Sequence, residues 1–185
     1  MNITEAKRDL AQRTKRGIPV IVAGILFWIV ASVTGILLSE KQVVWVYLIG
    51  MGCVFPCGLM IAAILKIDMF AKGNPLGTLA GIIGGINVLN IPFVLLAYFQ
   101  FPEWLPFVVA MLIGVHFLPY VWIYESKSYG FLSIGTVLVT SVCGILFAEK
   151  GFIVIPMAVT VVYFITLISV SLENKKAEND QQISA

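Results

Sequence analysis

The sequence predicts an all-α membrane protein, a polytopic bundle of six transmembrane helices with both termini in the cytoplasm. The prediction rests on six long apolar segments, on the absence of charge inside them, and on the uneven distribution of Lys and Arg between the loops. A helix needs about 20 mostly apolar residues to cross a hydrocarbon layer about 30 Å thick. Segments of this kind lie at 17–39, 43–65, 76–99, 102–124, 129–148 and 151–171.

Composition supports the same class. The chain has 185 residues, of which 59% are hydrophobic and 12% are charged, whereas soluble domains carry about 25% charged residues. The charges lie outside the apolar segments, apart from Glu103 and Glu149 at their edges. The first segment is too long for the apolar region of a signal peptide, so we expect an uncleaved first span. One bundle uses the whole length, so we expect no second folded domain.

The distribution of basic residues predicts the orientation. Lys and Arg accumulate in the short cytoplasmic loops of membrane proteins. One side of the threading carries two of them, Lys41 and Lys150. The other side, which holds both termini, carries the remaining ten: Lys7, Arg8, Arg13, Lys15, Arg16, Lys66, Lys72, Lys127, Lys175 and Lys176. We therefore expect a multi-pass protein of the plasma membrane with both termini inside.

The two terminal segments are polar. Residues 1–16 combine a capping-box pattern at Asn2 and Glu5 with a thin apolar stripe beside basic residues, which is typical of a helix lying on a membrane surface. This segment would attract anionic lipid, although a basic flank that only sets the topology is equally consistent. The tail 172–185 is polar, mixed in charge and free of aromatic residues, so we expect it to be disordered.

Two segments resemble one another. SVTGILLSEK at 32–41 and SVCGILFAEK at 141–150 match at seven of ten positions. The match predicts either parallel repeats of a helical hairpin or chance similarity within an apolar alphabet. Its Glu–Lys pairs, Glu40–Lys41 and Glu149–Lys150, fall at equivalent outer turns.

The third span carries small residues at helical spacing. Gly77, Gly81 and Gly85 recur every four residues, a spacing that lets two helix backbones approach closely in lipid. We expect a tight contact inside this chain, with a contact to another copy as the alternative. Proline residues within spans tend to kink their helices, which applies to Pro56, Pro92, Pro119 and Pro156.

The candidate ligand site lies between the third and fourth spans. His116, the single histidine, and Asn87 fall at about the same depth, where polar side chains are costly in hydrocarbon. A hydrogen bond between them is one interpretation. A polar pocket lined by one face of the fourth span is another, and interhelical hydrogen bonding without further function is a third. The candidate ligand-binding residues are His116, Asn87, Asn90, Tyr120 and Tyr124.

The residue inventory argues against several classes of function. No carboxylate or lysine lies at depth, and the spans contain no arginine. Cys53 and Cys57 share a helix face but are too few for a typical metal site, so we expect neither metal nor cofactor. Ser133 and Ser141 lack the sequence context of a catalytic nucleophile, so an enzyme ranks third among our hypotheses.

The run GVHFLPYVWIYESKSYG at 114–130 resembles a stretch in small bacterial multi-span membrane proteins of a family of unknown function. The resemblance implies a bacterial inner-membrane protein, without an activity or a substrate. Our leading hypothesis is a small-ligand binder or permease-like protein. The alternative is a structural or accessory protein that acts through helix partners, of which a homo-oligomer is one. The bilayer is the expected environment, and no nucleic-acid partner is expected.

Overall fold

The computed structural model describes residues 1–184, and over that range it contains nine α-helices and no β-strand. The helices are α1 (Ile3–Arg13), α2 (Ile18–Leu37), α3 (Glu40–Ile64), α4 (Pro75–Leu89), α5 (Ile91–Gln100), α6 (Leu105–His116), α7 (Tyr120–Ile123), α8 (Lys127–Leu146) and α9 (Gly151–Ser184). Short 3-10 turns precede α2, α6 and α9.

Six helical segments are long and apolar enough to cross a membrane, which confirms the predicted fold class. They are Lys15–Leu37, Glu40–Ile64, Pro75–Gln100, Pro102–Ile123, Lys127–Leu146 and Ala148–Asp180. The third span consists of α4 and α5, and the fourth of α6 and α7. The prolines explain these two interruptions, because Pro92 follows the break at Asn90 and Pro119 immediately precedes α7. Pro56 and Pro156 lie inside continuous helices.

The centre of the bundle is formed by α2, α6, α8 and α9. The tightest approach is between α2 and α9, where two glycines of α2 face the partner helix. A Cβ atom at Gly35 would lie 2.2 Å from the carbonyl oxygen of Phe152, and one at Gly24 would lie 2.5 Å from the ring of Tyr163. Only glycine allows this separation, as is usual where helices associate in lipid.

The glycines of the third span behave differently from the prediction. No atom would lie within 4 Å of a Cβ at Gly81 or Gly85, and both residues are exposed. The expected tight contact inside the chain is therefore wrong for these two positions. The inward face of α4 carries Ala80 and Gly84 instead, where the hydroxyl of Tyr120 approaches. The outward glycine row is free for another molecule.

The helix α1 lies at the end of the bundle that holds both termini, which we call the basic end. It begins with the predicted capping box, since the side chain of Asn2 accepts from the amide of Glu5 and the Glu5 carboxylate accepts from Asn2. Three consecutive left-handed residues, Lys15, Arg16 and Gly17, then turn the chain into α2. Their backbone is anchored, because the carbonyls of Lys15 and Arg16 accept hydrogen bonds from Asn174 and Tyr129.

The last helix extends beyond the membrane segment. The sequence predicted a disordered tail from residue 172, whereas α9 runs through Ser184. The physical reason is contact with the other terminus. Asn174 is buried and accepts from Arg16, and Glu178 pairs with Lys15. These partners lie more than 150 residues away in sequence, so the composition of the tail could not reveal them.

Candidate functional site

The five predicted ligand-binding residues divide into two groups. His116, Tyr120 and Tyr124 form a connected set, with ring centroids 6.0 Å apart for His116 and Tyr120 and 5.6 Å apart for Tyr120 and Tyr124. The ring nitrogen Nδ1 of His116 lies 2.9 Å from the carbonyl oxygen of Ile113 on its own helix. Asn87 and Asn90 pair with each other instead, since the Asn90 amide donates to Asn87 over 3.3 Å.

The hydrogen bond considered between Asn87 and His116 is therefore not formed. Equal depth, which is how the two residues were paired, is not enough, because contact also requires that both side chains face one another. His116 is the last residue of α6, and Asn90 is the last before α5, so each lies at a helix break with local polar partners. Tyr120 makes the polar link between the two spans, because its hydroxyl donates to the carbonyl of Ala80 over 2.8 Å.

Aromatic rings form a column through the interior, which we call the aromatic column. At the basic end, Tyr124 lies 5.3 Å from Tyr129, and Phe117 lies 6.0 Å from Tyr129 and 5.9 Å from Tyr163. Tyr163 packs on Gly24, one helical turn from Trp28. Beyond it, Trp28 lies 6.2 Å from Tyr47, which lies 5.8 Å from Phe152. The column comprises Phe117, Tyr120, Tyr124, Tyr129, Tyr163, Trp28, Tyr47 and Phe152, all of which are buried.

One polar atom in the column has no hydrogen-bond partner in the described chain. It is the hydroxyl of Tyr47, a residue that is fully buried. The hydroxyls of Thr136 and Thr140, one turn apart on α8, are likewise buried and unpaired. Burying such a group without a partner costs about 1–3 kcal/mol by the measure of protein mutants. The interior of the bundle therefore contains buried hydroxyl groups that are available to a polar ligand.

One end of the column reaches a cleft at the basic end. A cleft of about 360 Å³, the basic-end cleft, lies between α1 and the last turns of α9, with Tyr124 in its wall. Most of the charged side chains that line this cleft take part in ion pairs. Lys7 pairs with Glu125 over 3.7 Å and lies over the ring of Trp122, and Lys15 pairs with Glu178.

A polar network ties this end together. Glu173 accepts from the hydroxyls of Ser126 and Ser128 and lies 3.8 Å from the guanidinium of Arg16. On the other side of α1, Arg13 donates to Asp68, and this hydrogen bond lowers the pKa of the Asp68 carboxyl. Burial raises the pKa of the Tyr124 hydroxyl, which therefore stays neutral. The segments that meet at this end are thus held together by charge and hydrogen bonds.

The other end of the column reaches a cleft at the opposite end of the bundle, which we call the acidic end. A cleft of about 380 Å³, the acidic-end cleft, contains three carboxylates and three aromatic rings. Within residues 1–184, none of these carboxylates takes part in an ion pair. Trp104 and Phe107 lie edge to face with their centroids 5.5 Å apart. The lining is Glu40, Glu103, Glu149, Trp104, Phe107, Phe152, Ile155, Gly144, Ala148 and Gly151.

The structure groups no three His, Cys, Asp or Glu side chains of the described chain at metal-binding separation. Cys53 and Cys57 lie on the exposed side of α3 as free thiols. The hydroxyl of Ser141 donates to Val137 on its own helix, and His116 is likewise bonded to its own helix, so the two are not joined by a hydrogen bond.

Sequence reasoning missed most of this site. The members of the aromatic column come from α2, α3, α8, α9 and residues 117–124 around α7, and no spacing in the sequence connects these separate segments. One signal was present in the internal repeat, because Glu40 and Glu149 occupy matching positions and both line the acidic-end cleft. The unpaired hydroxyl of Tyr47 had no signal in the sequence, since burial and pairing depend on the packed bundle.

The model of a family of unknown function (DUF7010) matches residues 3–173, nearly the whole chain, so the chain belongs to this family. The match agrees with the resemblance of residues 114–130 to proteins of unknown function and extends it far beyond the fourth span. Searches of curated proteins and of solved structures found no match.

Proposed function

We propose that this chain, as a member of a family of unknown function, is a permease-like integral membrane protein that passes a small ligand along the aromatic column. It would act by binding and movement, without catalysis. The observation that carries the proposal is the continuity of the column. Tyr124 lines the cleft at one end, Phe152 lines the cleft at the other, and buried rings connect them.

The chemistry of the column supports this use. A helix bundle in lipid keeps polar groups in its interior only where they find partners or serve a pathway. The Tyr47 hydroxyl offers a hydrogen-bonding group without a protein partner, and the aromatic faces offer apolar contact. A ligand with both a polar and an apolar part would contact one ring after another as it moves along the column. The rings fill the column in this structure, so passage requires them to rotate or the helices to part.

The site predicted between the third and fourth spans becomes part of this route. Tyr120 and Tyr124 belong to the column, and His116 lies beside Tyr120. We propose that these three contact the ligand near the basic end. Asn87 and Asn90 remain predicted ligand residues. They lie on the third span, which Tyr120 contacts through its hydrogen bond to Ala80. We also propose that the basic end faces the cytoplasm of a bacterial cell, as its ten Lys and Arg residues favour.

The proposal can be tested with purified protein in liposomes. Stopped-flow light scattering would follow the entry of tetraethylammonium chloride, glycerol or sodium benzoate under a solute gradient. We expect at least one solute to enter faster than in protein-free vesicles. Tyr47→Phe, which removes one unpaired hydroxyl from the column, should slow that entry. Tyr98→Phe is the matched control, because Tyr98 lies outside the column. If no solute enters faster than in empty vesicles, the proposal is wrong.

A second candidate function follows from the open glycine row. Gly81 and Gly85 face outward with free space above them, on a span whose side chains are mostly exposed. Such a surface suits a helix of another chain, including a second copy of this one. In that case Gly81→Leu should abolish a cross-linked complex in membranes while Gly52→Leu, at an equally open position on α3, preserves it. An unchanged cross-linking pattern would remove this candidate.

A further inference from the structure

We propose that α1 is a lid over the basic end of the aromatic column, held closed by ion pairs and able to swing aside about the turn Lys15–Gly17. The inference rests on the proposed function, since it describes how entry to the column is controlled. Three observations carry it: the rings that α1 covers, the contacts that attach α1, and the turn that joins α1 to α2.

The end of α1 and the turn that follows lie directly on the last rings of the column. The hydroxyl of Tyr124 has the side chain of Thr14, the residue after α1, as its hydrogen-bond partner. A Cβ atom at Gly17 would lie 2.8 Å from the hydroxyl of Tyr129 and 3.5 Å from that of Tyr124. Tyr124 is only 5% exposed although it lines the basic-end cleft. A ligand in the cleft therefore meets a covered ring, and α1 has to move before the ligand reaches the column.

The apolar contact between α1 and the bundle is small. The buried face of the helix consists of Ala6, Leu10 and Ala11 together with the long side chain of Lys7. Leu10 is the only large apolar side chain in that face. Because the stabilisation from burial is proportional to the apolar area removed from water, packing alone holds α1 only weakly.

Ion pairs to two separate connections supply much of the remaining attachment. Lys7 lies 3.7 Å from Glu125, between α7 and α8, and Arg13 pairs with Asp68, between α3 and α4. The side chains of Glu125 and Asp68 are 47% and 46% exposed, so water and salt screen both pairs. An attachment of this kind can break while the spans of the bundle stay in place.

The turn after α1 provides the pivot. Lys15, Arg16 and Gly17 all have a left-handed backbone, with φ angles of 49°, 50° and 70°. Residues other than glycine rarely adopt this conformation, and it persists only where other contacts hold it. Here the carbonyl of Lys15 accepts from Asn174 over 3.0 Å, and the carbonyl of Arg16 accepts from Tyr129 over 2.6 Å. The turn is therefore fixed to the bundle, and α1 can swing about it without moving α2.

The test combines two measurements on the full chain. Hydrogen exchange of the α1 amides, followed by mass spectrometry in lipid nanodiscs, reports whether the lid opens. Stopped-flow light scattering on liposomes, with tetraethylammonium chloride, glycerol and sodium benzoate, reports whether opening admits a solute. Glu125→Lys places two ammonium groups together in place of the ion pair with Lys7. We expect the α1 amides to exchange about fivefold faster, and solute entry to rise by about the same factor, because only molecules with an open lid pass solute.

The controls use the same charges. The double variant Lys7→Glu/Glu125→Lys restores the pair with its charges exchanged, so both rates should fall below those of Glu125→Lys. Lys176→Glu reverses an exposed charge at the same end but outside both clefts, and it should behave like the unmodified protein. Lys7→Gln breaks the same pair from the side of α1, and it decides the question should Glu125→Lys fail to fold.

Two results in the exchange measurement would overturn the inference. In the first, Glu125→Lys leaves the exchange of the α1 amides unchanged, so the pair does not hold the helix. In the second, the amides of α1 and α2 lose protection together, so α1 does not open independently of the bundle.

The lid and the permease proposal fail in different ways. If the α1 amides exchange faster while solute enters at the rate of the unmodified protein, the lid inference is wrong and the permease proposal survives. If no solute enters with any variant, the permease proposal is wrong and the lid inference falls with it, even where α1 opens.

Discussion

The basic end and the acidic end of the bundle use the same residue types for different purposes. At the basic end, Glu125, Glu173 and Glu178 each have a basic or hydroxyl partner, and these contacts hold both termini. At the acidic end, three glutamates stand around an aromatic cleft, and none is in an ion pair within the described residues. The comparison indicates that carboxylates stabilise the first end by pairing and are left without ion pairs at the second, within the described residues. Four predictions can break or sharpen this distinction.

The largest effect on stability is expected at Glu173. The change Glu173→Ala leaves the Ser126 hydroxyl without its acceptor, leaves the Ser128 hydroxyl with Ser169 alone, and removes the negative partner of Arg16. These losses should lower the free energy of unfolding by about 3 kcal/mol. The measurement is unfolding in mixed micelles with increasing SDS. Glu103→Ala at the acidic end is the matched control, and its effect should stay within about 0.5 kcal/mol. Equal losses for the two variants would erase the distinction between the ends.

The two ends also differ in how a helix begins. At the basic end, the buried side chain of Asn74 accepts from Leu76 at the start of α4 and donates to the carbonyl of Ala6 in α1. At the acidic end, Ser39 starts α3 with an exposed capping box shared with Gln42. We expect Asn74→Ala to cost about 2 kcal/mol and Ser39→Ala about 0.5 kcal/mol in the same unfolding assay. A larger loss for Ser39→Ala would contradict the view that the basic end is the tied one.

The hydroxyl of Tyr47 gives a prediction of opposite sign. Since it is buried without a partner, Tyr47→Phe should raise the free energy of unfolding by about 1 kcal/mol, even as it slows ligand passage. A structural hydroxyl would give a loss of stability instead. Thermal unfolding in detergent, followed by tryptophan fluorescence, measures the shift. Tyr129→Phe should destabilise the fold, because its hydroxyl donates to Arg16.

The fold was predictable because lipid imposes a simple requirement. Each spanning segment must be long, apolar and helical, and such segments are visible one at a time in the sequence. Contacts between segments were harder to predict. The glycines at 77, 81 and 85 have the spacing of a packing motif, yet the tight approach occurs at Gly24 and Gly35, because a spacing does not show which side of a helix faces the partner.

The candidate site was predicted only in part, because the sequence shows neighbours along one helix but not contacts between helices. Tyr120 and Tyr124 lie four residues apart in sequence, and they do stack in the structure. Asn87 and His116 were matched by depth alone, and each has a hydrogen-bond partner on its own span instead. Glu40 and Glu149 had a sequence signal in the repeat, but their common cleft with Glu103 depends on how three connections meet. Residues that are local in sequence could be grouped, and residues joined by the fold could not.

The smallest effect concerns pH at the two ends. The hydrogen bond from Arg13 lowers the pKa of Asp68 below the ordinary value of 3.8, so the folded state favours the charged carboxylate. The stabilisation that the Arg13–Asp68 pair provides is therefore fully present above pH 3.8 and is lost as the pH falls through the lowered pKa of Asp68. The amides of Phe70 and Ala71 donate to the same carboxylate. The protection factors of these two amides against hydrogen exchange should therefore decrease as the pH falls. Both groups are exposed, which keeps the effect small.

The acidic end supplies the internal reference for this measurement. The turn at Ser39 and Gln42 is held by a hydroxyl and an amide, neither of which titrates, so its protection should be independent of pH. Asp68→Asn should remove the pH dependence at Phe70 and Ala71 and leave the turn at Ser39 unchanged. If the two turns lose protection together as the pH falls, acid acts on the whole bundle, and the Arg13–Asp68 pair does not set the response of the basic end.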